Sequence, residues 1–285
     1  MRKSAIVCVA LLATAVAANA EDAPVTDGWA KSADLGLLFS QSSYSDEWAG
    51  DELGTVTWTF TADMVAEKNM STSANWKNTL KLMYGQTHQE RDSDDGDGWS
   101  KPLKSTDRVF LESLMRFGMD HPITPYVAFT LESQFHDGNN NILSPSLLTE
   151  SAGVGRQLIK DEHTDLQTRV GFAMRQRMAH AAKTVNDAGL EWVTDLSHTF
   201  NENLKAVSKL RVFKALTSSA SDDLAGMPGE DDWKGVDVAW ETTLSAAVSK
   251  YIQTTLFFEL LYDKEIVDEM RYRELFGFGV TYKLF

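Results

Sequence analysis

The sequence predicts an all-β protein, a transmembrane antiparallel up-and-down β-barrel of about 12 strands. Three observations lead to this fold class. Apolar and polar residues alternate with a period of two from Ser32 onward, and a helical period is hard to find. The chain after residue 20 has no apolar run long enough for a transmembrane helix. The connections between predicted strands alternate between short and long, as they do in outer-membrane barrels.

The N-terminus has the features of a secretory signal. Arg2 and Lys3 precede an apolar run over residues 5–18, and small residues form a cleavage site before Glu21. The run is too short to span a bilayer as a helix, so a membrane anchor is the weaker interpretation. We expect three segments: a cleaved signal peptide over 1–20, a short periplasmic N-terminal segment over 21–31, and an outer-membrane barrel over 32–285.

Composition argues against several classes of function. The signal contains two of the 27 basic residues, no acidic residue, and Cys8, the single cysteine of the chain. Its removal leaves 25 basic residues against 41 acidic ones, a net charge of −16. Such acidity argues against a nucleic-acid partner, which requires a basic surface. The lack of cysteine in the mature chain excludes disulfides and thiol chemistry.

Twelve strands follow from the alternation. In the segment TVTWTFTADM (55–64), Val56, Trp58 and Phe60 share one face and threonines occupy the other. The sixth strand is the least secure because its alternation is poor. The predicted strands span 32–41, 54–66, 75–87, 105–119, 123–136, 148–159, 165–177, 189–200, 204–216, 234–248, 252–262 and 271–284. Apolar faces recur along the chain at Leu80, Leu82 and Tyr84; Val109, Leu111, Met115 and Phe117; Leu166, Val170, Phe172 and Met174; Leu256, Phe258, Leu260 and Tyr262; and Phe276, Phe278, Val280 and Tyr282.

The connections differ in length and charge. The short set comprises 67–74, 120–122, 160–164, 201–203 and 249–251, and the longer set comprises 42–53, 88–104, 137–147, 178–188, 217–233 and 263–270. The longer set contains nearly all of the net negative charge. An outer-membrane barrel has short periplasmic turns and long outer loops. We therefore expect acidic extracellular loops and both mature termini in the periplasm. A soluble β-sandwich is the alternative, since its inner faces would give the same alternation.

The opposite face of the predicted strands is charged. In a barrel such residues line the lumen, where they pair with one another or contact water. The short turns also predict register: Asp195 falls opposite Lys209, and Glu241 falls opposite Glu259. Two carboxylates that close need either a cation between them, for which Lys209, Arg211 and Arg273 are the candidates, or a raised pKa for one of them. The predicted lumen-lining residues are Lys77, Lys81, Arg108, Glu112, Arg116, Arg169, Arg175, Arg177, Asp195, Lys209, Arg211, Glu241 and Glu259.

The motifs of most enzymes are missing from the sequence. It has no phosphate-binding glycine loop, zinc-ligand spacing or nucleophile elbow. A surface lipase needs adjacent Ser and His side chains, whereas Ser197 and His198 point to opposite faces of one strand. The segment DSDDGDGW (Asp92–Trp99) resembles a calcium loop but lacks the downstream Glu position of an EF-hand. We expect no enzymatic activity and no cofactor.

Several segments resemble an uncharacterised domain-of-unknown-function family of Gram-negative outer-membrane β-barrel proteins. Those segments are Trp29–Gly50, Leu143–Thr149, Val238–Tyr251, Leu260–Glu265 and Glu274–Phe285. The resemblance implies an outer-membrane location and a porin-like architecture, and it implies no activity or functional residues. Members usually end in Tyr-Lys-Phe, whereas Leu284 intervenes here.

The leading functional hypothesis is a narrow, porin-like passive channel or a structural barrel with a charge-paired lumen. One alternative is a barrel that does not conduct and whose acidic outer loops bind a partner or divalent cations. A lesser alternative is a barrel hydrolase. The expected partners are the lipid bilayer, lipopolysaccharide, and the barrel-assembly machinery, which would recognise the closing strand ending at Phe285.

Overall fold

The structure is a computed structural model that describes residues 28–43, 53–91, 98–118 and 121–284. The predicted signal peptide, most of the candidate calcium loop and Phe285 lie outside these described residues. Twelve strands form one closed sheet. They are β1 (Ala30–Ser42), β2 (Thr55–Asn69), β3 (Ala74–Gln89), β4 (Leu103–Phe117), β5 (Thr124–Ser133), β6 (Ser146–Lys160), β7 (Thr164–Met178), β8 (Val185–Asn201), β9 (Leu204–Ser218), β10 (Val236–Ala247), β11 (Ile252–Asp263) and β12 (Val267–Lys283).

Each strand pairs antiparallel with its sequence neighbours, and β1 pairs with β12 to close the barrel. The closing register runs from Asp34 opposite Lys283 to Phe39 opposite Phe278. The predicted fold class is therefore confirmed, and the sixth strand is present. Closure removes the exposed edges that an open sheet of this size would present to other chains.

The connections define two ends of the barrel. Among the described residues, we call the end formed by 70–73, 118, 121–123, 161–163, 202–203 and 248–251 the turn end, and the end formed by 43, 53–54, 90–91, 98–102, 134–145, 179–184, 219–235 and 264–266 the loop end. The asymmetry is weaker than predicted at one place. The last loop-end connection has only the residues between Asp263 and Val267, because β12 begins four residues before the predicted start.

Helix is confined, among the described residues, to the connection between β9 and β10. It consists of α1 (Ser221–Leu224) and a 3-10 turn (Asp232–Lys234). No helix in the described ranges is long and apolar enough to cross a membrane.

The outer face of the wall is apolar and exposed, whereas a water-soluble protein buries most of its large apolar side chains. Phe172 and Phe276 are 69% and 67% exposed on this face. Phe110 and Phe213 lie inside the wall and are fully buried. An outward apolar band and a polar interior are the arrangement of a transmembrane barrel.

Polar groups on the outer face are hydrogen-bonded to one another. The indole Nε1 of Trp192 donates to Thr168 at 2.8 Å, and that of Trp240 donates to Ser208 at 2.9 Å. The Thr168 hydroxyl is also hydrogen-bonded to the Thr194 hydroxyl at 3.0 Å. The Ser208 hydroxyl is likewise hydrogen-bonded to the Thr242 hydroxyl at 2.8 Å. Hydrocarbon offers no partner for a hydroxyl, so these contacts allow polar side chains to face lipid.

Close packing of backbone across β6 and β7 gives a test of the fold. Gly153 lies opposite Gly171, and a Cβ at Gly153 would lie 2.5 Å from the Gly171 Cα and overlap the Val170 carbonyl. We expect Gly153→Val to destabilise the barrel by about 1–3 kcal/mol through overpacking. The measurement is the temperature at which the folded, faster-migrating form is lost on a gel. Gly138→Val is the matched control, because a Cβ at Gly138 meets nothing within 4 Å, and equal loss in both variants would contradict this packing.

Candidate functional site inside the barrel

Two carboxylates face each other on the inner face of the barrel wall and share a cation. Glu241 of β10 lies opposite Glu259 of β11, which is the predicted register. Arg108 of β4 forms an ion pair with Glu241 and lies 3.9 Å from Glu259. Lys81 contacts Glu241 at 2.7 Å, and Arg273 contacts Glu259 at 2.7 Å. Three cations therefore offset the repulsion between the two carboxylates.

A second group of charges centres on Glu112 of β4. Its carboxylate accepts hydrogen bonds from Lys209 at 2.9 and 3.0 Å and from Arg169 at 2.5 Å. Asp195 contacts Lys209 at 3.0 Å and Arg169 at 3.5 Å. Asp195 and Lys209 are cross-strand neighbours, as the sequence predicted. The four side chains thus form a compact group of two anions and two cations.

Phe110 lies among the cations of both groups. Its ring centroid is 5.5 Å from the guanidinium carbons of Arg108 and Arg211, 5.5 Å from the Lys209 Nζ, and 5.9 Å from the Lys81 Nζ. Cations near an aromatic ring are stabilised by its quadrupole when they lie over its face. The ring is 1% exposed, so it also fills the space between the cations.

We call these ion pairs together the interior network. Most of its pairs join strands that are not neighbours in the sheet, which is possible only across the inside of the barrel. Six of its charged residues are less than a tenth exposed: Arg108, Glu112, Arg169, Lys209, Arg211 and Glu241. The remaining cross-barrel pairs are Arg211 with Glu132, Arg175 with Asp237, and Arg116 with Glu67 at 3.0 Å. Buried charges of this kind are tolerated because each finds an opposite charge.

A separate cluster lies at the loop end. Arg177 of β7 contacts Asp187 of β8 at 2.9 Å and Asp263 at 4.0 Å, and it forms an ion pair with Glu265. Glu265 belongs to the connection between β11 and β12, so the contact brings that connection over the mouth. Burial raises the pKa of the Glu265 carboxyl, although the hydrogen bond and charge of Arg177 oppose the shift.

The structure places the predicted lumen-lining residues on the inner register of their strands. All except Lys77 form ion pairs there, and Lys77 is half-buried with no ion pair to another described residue. The cations proposed for the two facing glutamates are corrected in part. Arg273 does contact Glu259, but Lys209 binds Glu112 and Arg211 binds Glu132.

The predicted lumen-lining set lacks Phe110, and it lacks three carboxylates of the network: Glu67, Glu132 and Asp237. Phe110 is an apolar side chain on the inner register of β4, between the charged residues Arg108 and Glu112. That break in the pattern was the available signal.

The other half of the interior has small and hydroxylated side chains. A cavity of about 130 Å³ lies there against β1, β2, β3, β4, β10, β11 and β12, and we call it the hydroxyl cavity. Six of its hydroxyls have no hydrogen-bond partner among the described residues: those of Ser40, Thr59, Thr61, Thr243, Ser245 and Thr281. A Cβ at Gly36 or Gly85 would lie 2.5 Å from the Thr61 Oγ1 or 2.7 Å from the Thr59 Oγ1. Glycine at these two positions therefore leaves room for the hydroxyls.

The described residues contain no group of three His, Cys, Asp or Glu side chains that could hold a metal ion. His198 therefore belongs to no such group within the described residues. Its Nδ1 is 2.9 Å from the Thr164 hydroxyl, and its ring packs at 4.5 Å on Phe200.

Part of the chain matches a family of unknown function. Residues 39–139 match the family described as "Protein of unknown function (DUF3078)", which confirms the predicted resemblance to such a family over this part of the chain. No curated protein matches.

Similar solved structures are outer-membrane barrels. The COG4313 outer membrane channel from Pseudomonas putida F1 is 8% identical, with 94% of this chain and 99% of that chain covered and a TM-score of 0.44. The translocator domain of autotransporter NalP from Neisseria meningitidis is 10% identical, with 92% and 90% covered and a TM-score of 0.36. The NanC porin is 8% identical, with 88% and 97% covered and a TM-score of 0.38. At these values the fold assignment depends on the strand pairing described above.

The interior network makes a prediction about stability. We expect Glu241→Ala to destabilise the barrel by about 3–5 kcal/mol, because it leaves the buried guanidinium of Arg108 and the ammonium of Lys81 without their shared carboxylate. The measurement is the free energy of unfolding in urea with the protein in detergent. Asp222→Ala is the control, since Asp222 is exposed in a loop and should change stability by less than about 0.5 kcal/mol. A loss at Glu241 no larger than this control would show that the network does not stabilise the barrel.

Proposed function

We propose that the protein is a narrow, passive channel of the outer membrane, with a conducting path along the hydroxyl cavity. The observation that carries this proposal is the division of the barrel interior. Large charged side chains line one part and pair with one another, whereas β1, β2 and β12 contribute glycine, serine and threonine beside the hydroxyl cavity. Space lined with hydroxyls favours a path for water and small solutes.

The width of this path follows from its walls. Phe257 lines it together with Lys81 and Arg108 of the interior network, and Leu38 faces Gly277, where a Cβ would lie 2.8 Å from the Leu38 Cβ. The cavity between these walls has a volume of about 130 Å³. The proposed channel is therefore much narrower than a 16-stranded porin, whose lumen is an open aqueous channel.

The location forms part of the same proposal. The apolar outer face would contact lipid, the turn end would face the periplasm, and the loop end would face lipopolysaccharide outside the cell. The closing strand β12 would be the element that the barrel-assembly machinery recognises. The exposed apolar side chains and the hydrogen-bonded hydroxyls of the outer face support this placement.

The described part of the loop between β9 and β10 favours a channel over a cation-binding surface. Three of its carboxylates already contact lysines: Asp223 pairs with Lys183, Asp231 with Lys234 at 2.5 Å, and Asp232 with Lys264 at 3.0 Å. Carboxylates that pair with lysine are less available to a divalent cation.

A pair of tryptophan substitutions on β10 tests the path. Thr243 lies on the inner register and lines the hydroxyl cavity, whereas Leu244 is the next residue and faces outward. We expect Thr243→Trp to reduce single-channel conductance in planar bilayers at least fivefold, because the indole fills the cavity. Leu244→Trp should leave conductance within about twofold of the wild type. A wild-type barrel that folds and inserts but passes no current would overturn the proposal, as would equal currents in Thr243→Trp and the wild type.

A further inference from the structure

We propose that the hydroxyl cavity binds small uncharged polyols, of which glycerol is the simplest probe. This inference rests on the proposed function, since it names the solute class that the path would admit. Three properties of the cavity support it: six of its hydroxyls lack partners among the described residues, its two cations are already paired with Glu241, and part of its wall is apolar.

The hydroxyls supply hydrogen bonds of both kinds. Each serine or threonine hydroxyl can donate one hydrogen bond and accept two. Polar groups inside proteins nearly always have a hydrogen-bond partner, in the protein or in water. The Thr59 hydroxyl lines the cavity and has no partner in the described part of the chain. Such a group is satisfied by water or by a solute that replaces it, and polyol hydroxyls present the same donor and acceptor chemistry as water.

The free hydroxyls converge from several strands. Ser40 lies on β1, Thr59 and Thr61 on β2, Thr243 and Ser245 on β10, and Thr281 on β12. Those on β2 are two residues apart and so point to the same side of the strand. A ligand with several hydroxyls can therefore contact more than one wall at once, which a single alcohol group cannot do.

The charges beside the cavity argue against an anionic solute. Lys81 and Arg108 line the cavity, but both contact Glu241. Asp63 also lines the cavity and forms no ion pair with another described residue, so its carboxylate would repel an anion. An anionic solute would lose hydration in this space without gaining a free counter-charge, and that exchange is unfavourable. A neutral solute avoids the cost.

The apolar part of the wall suits the carbon backbone of a polyol. Phe257 is 6% exposed and Leu38 is 8% exposed, and both line the cavity. Binding sites for small molecules commonly combine such surfaces with a few placed polar groups. The volume of about 130 Å³ restricts the ligand to a small member of the class.

The test compares two substitutions of one residue. Thr59→Val keeps the shape of the side chain and removes the hydroxyl, whereas Thr59→Ser keeps the hydroxyl. The probe is glycerol, and its binding to the detergent-solubilised barrel is measured by saturation-transfer NMR titration. We expect Thr59→Val to weaken glycerol binding by about 3- to 10-fold, the loss of one neutral hydrogen bond, and Thr59→Ser to stay within about twofold of the wild type. Thr242→Val is the control for a hydroxyl on the outer face, which contacts Ser208.

The outcomes separate this inference from the channel proposal. Equal glycerol titrations for wild type and Thr59→Val would overturn the binding site even if the barrel conducts. Binding of glycerate as tight as that of glycerol would also overturn it, because the cavity would then not exclude charge. A glycerol signal that Thr59→Val reduces in a barrel without conductance would keep the binding site and reject the channel. Gel mobility before and after boiling shows that each variant has folded.

Discussion

The ion pair between Arg108 and Glu241 is the interaction on which the interior depends. It joins β4 to β10 across the barrel, and Arg108 also approaches Glu259 on β11. In a membrane barrel the apolar residues face lipid, so the interior cannot be held together by a hydrophobic core. Cross-barrel ion pairs take that role here, and each of them is geometrically demanding because a charge left alone in the interior is costly. Phe110 complements them by filling the space between four cations.

The strands could be predicted from the sequence because alternation is a property of one strand at a time. Register could be predicted where a short turn fixes it, as for Glu241 with Glu259. The details of such a turn are less accessible: the register that pairs Asp195 with Lys209 predicts Phe200 opposite Leu204, but a bulge places Asn201 there instead. The pairing of Asp195 with Lys209 survives because the bulge lies between that pair and the turn.

Partners across the barrel could not be predicted in the same way. Strands of a barrel tilt, so residues that are opposite in register on successive strands lie at progressively different heights. Similar depth along the strands predicts Lys209 and Arg211 near the two facing glutamates, yet they contact Glu112 and Glu132 of β4 and β5. The tilt and closure that decide these partners depend on all twelve strands at once. For the same reason the hydroxyl cavity was not foreseen, although the threonine face of β2 was visible in the sequence.

The two halves of the interior have opposite relations to solvent, and this difference bears on selectivity. In the network, carboxylates and cations satisfy one another, so they project little net field into the neighbouring space. In the hydroxyl cavity, most of the lining side chains are neutral, and six of their hydroxyls have no partner among the described residues. A passage between such walls would select by size and by hydrogen bonding rather than by charge. The acidity of the connections would then act at the mouth, where it changes the local concentration of ions, and not along the path itself.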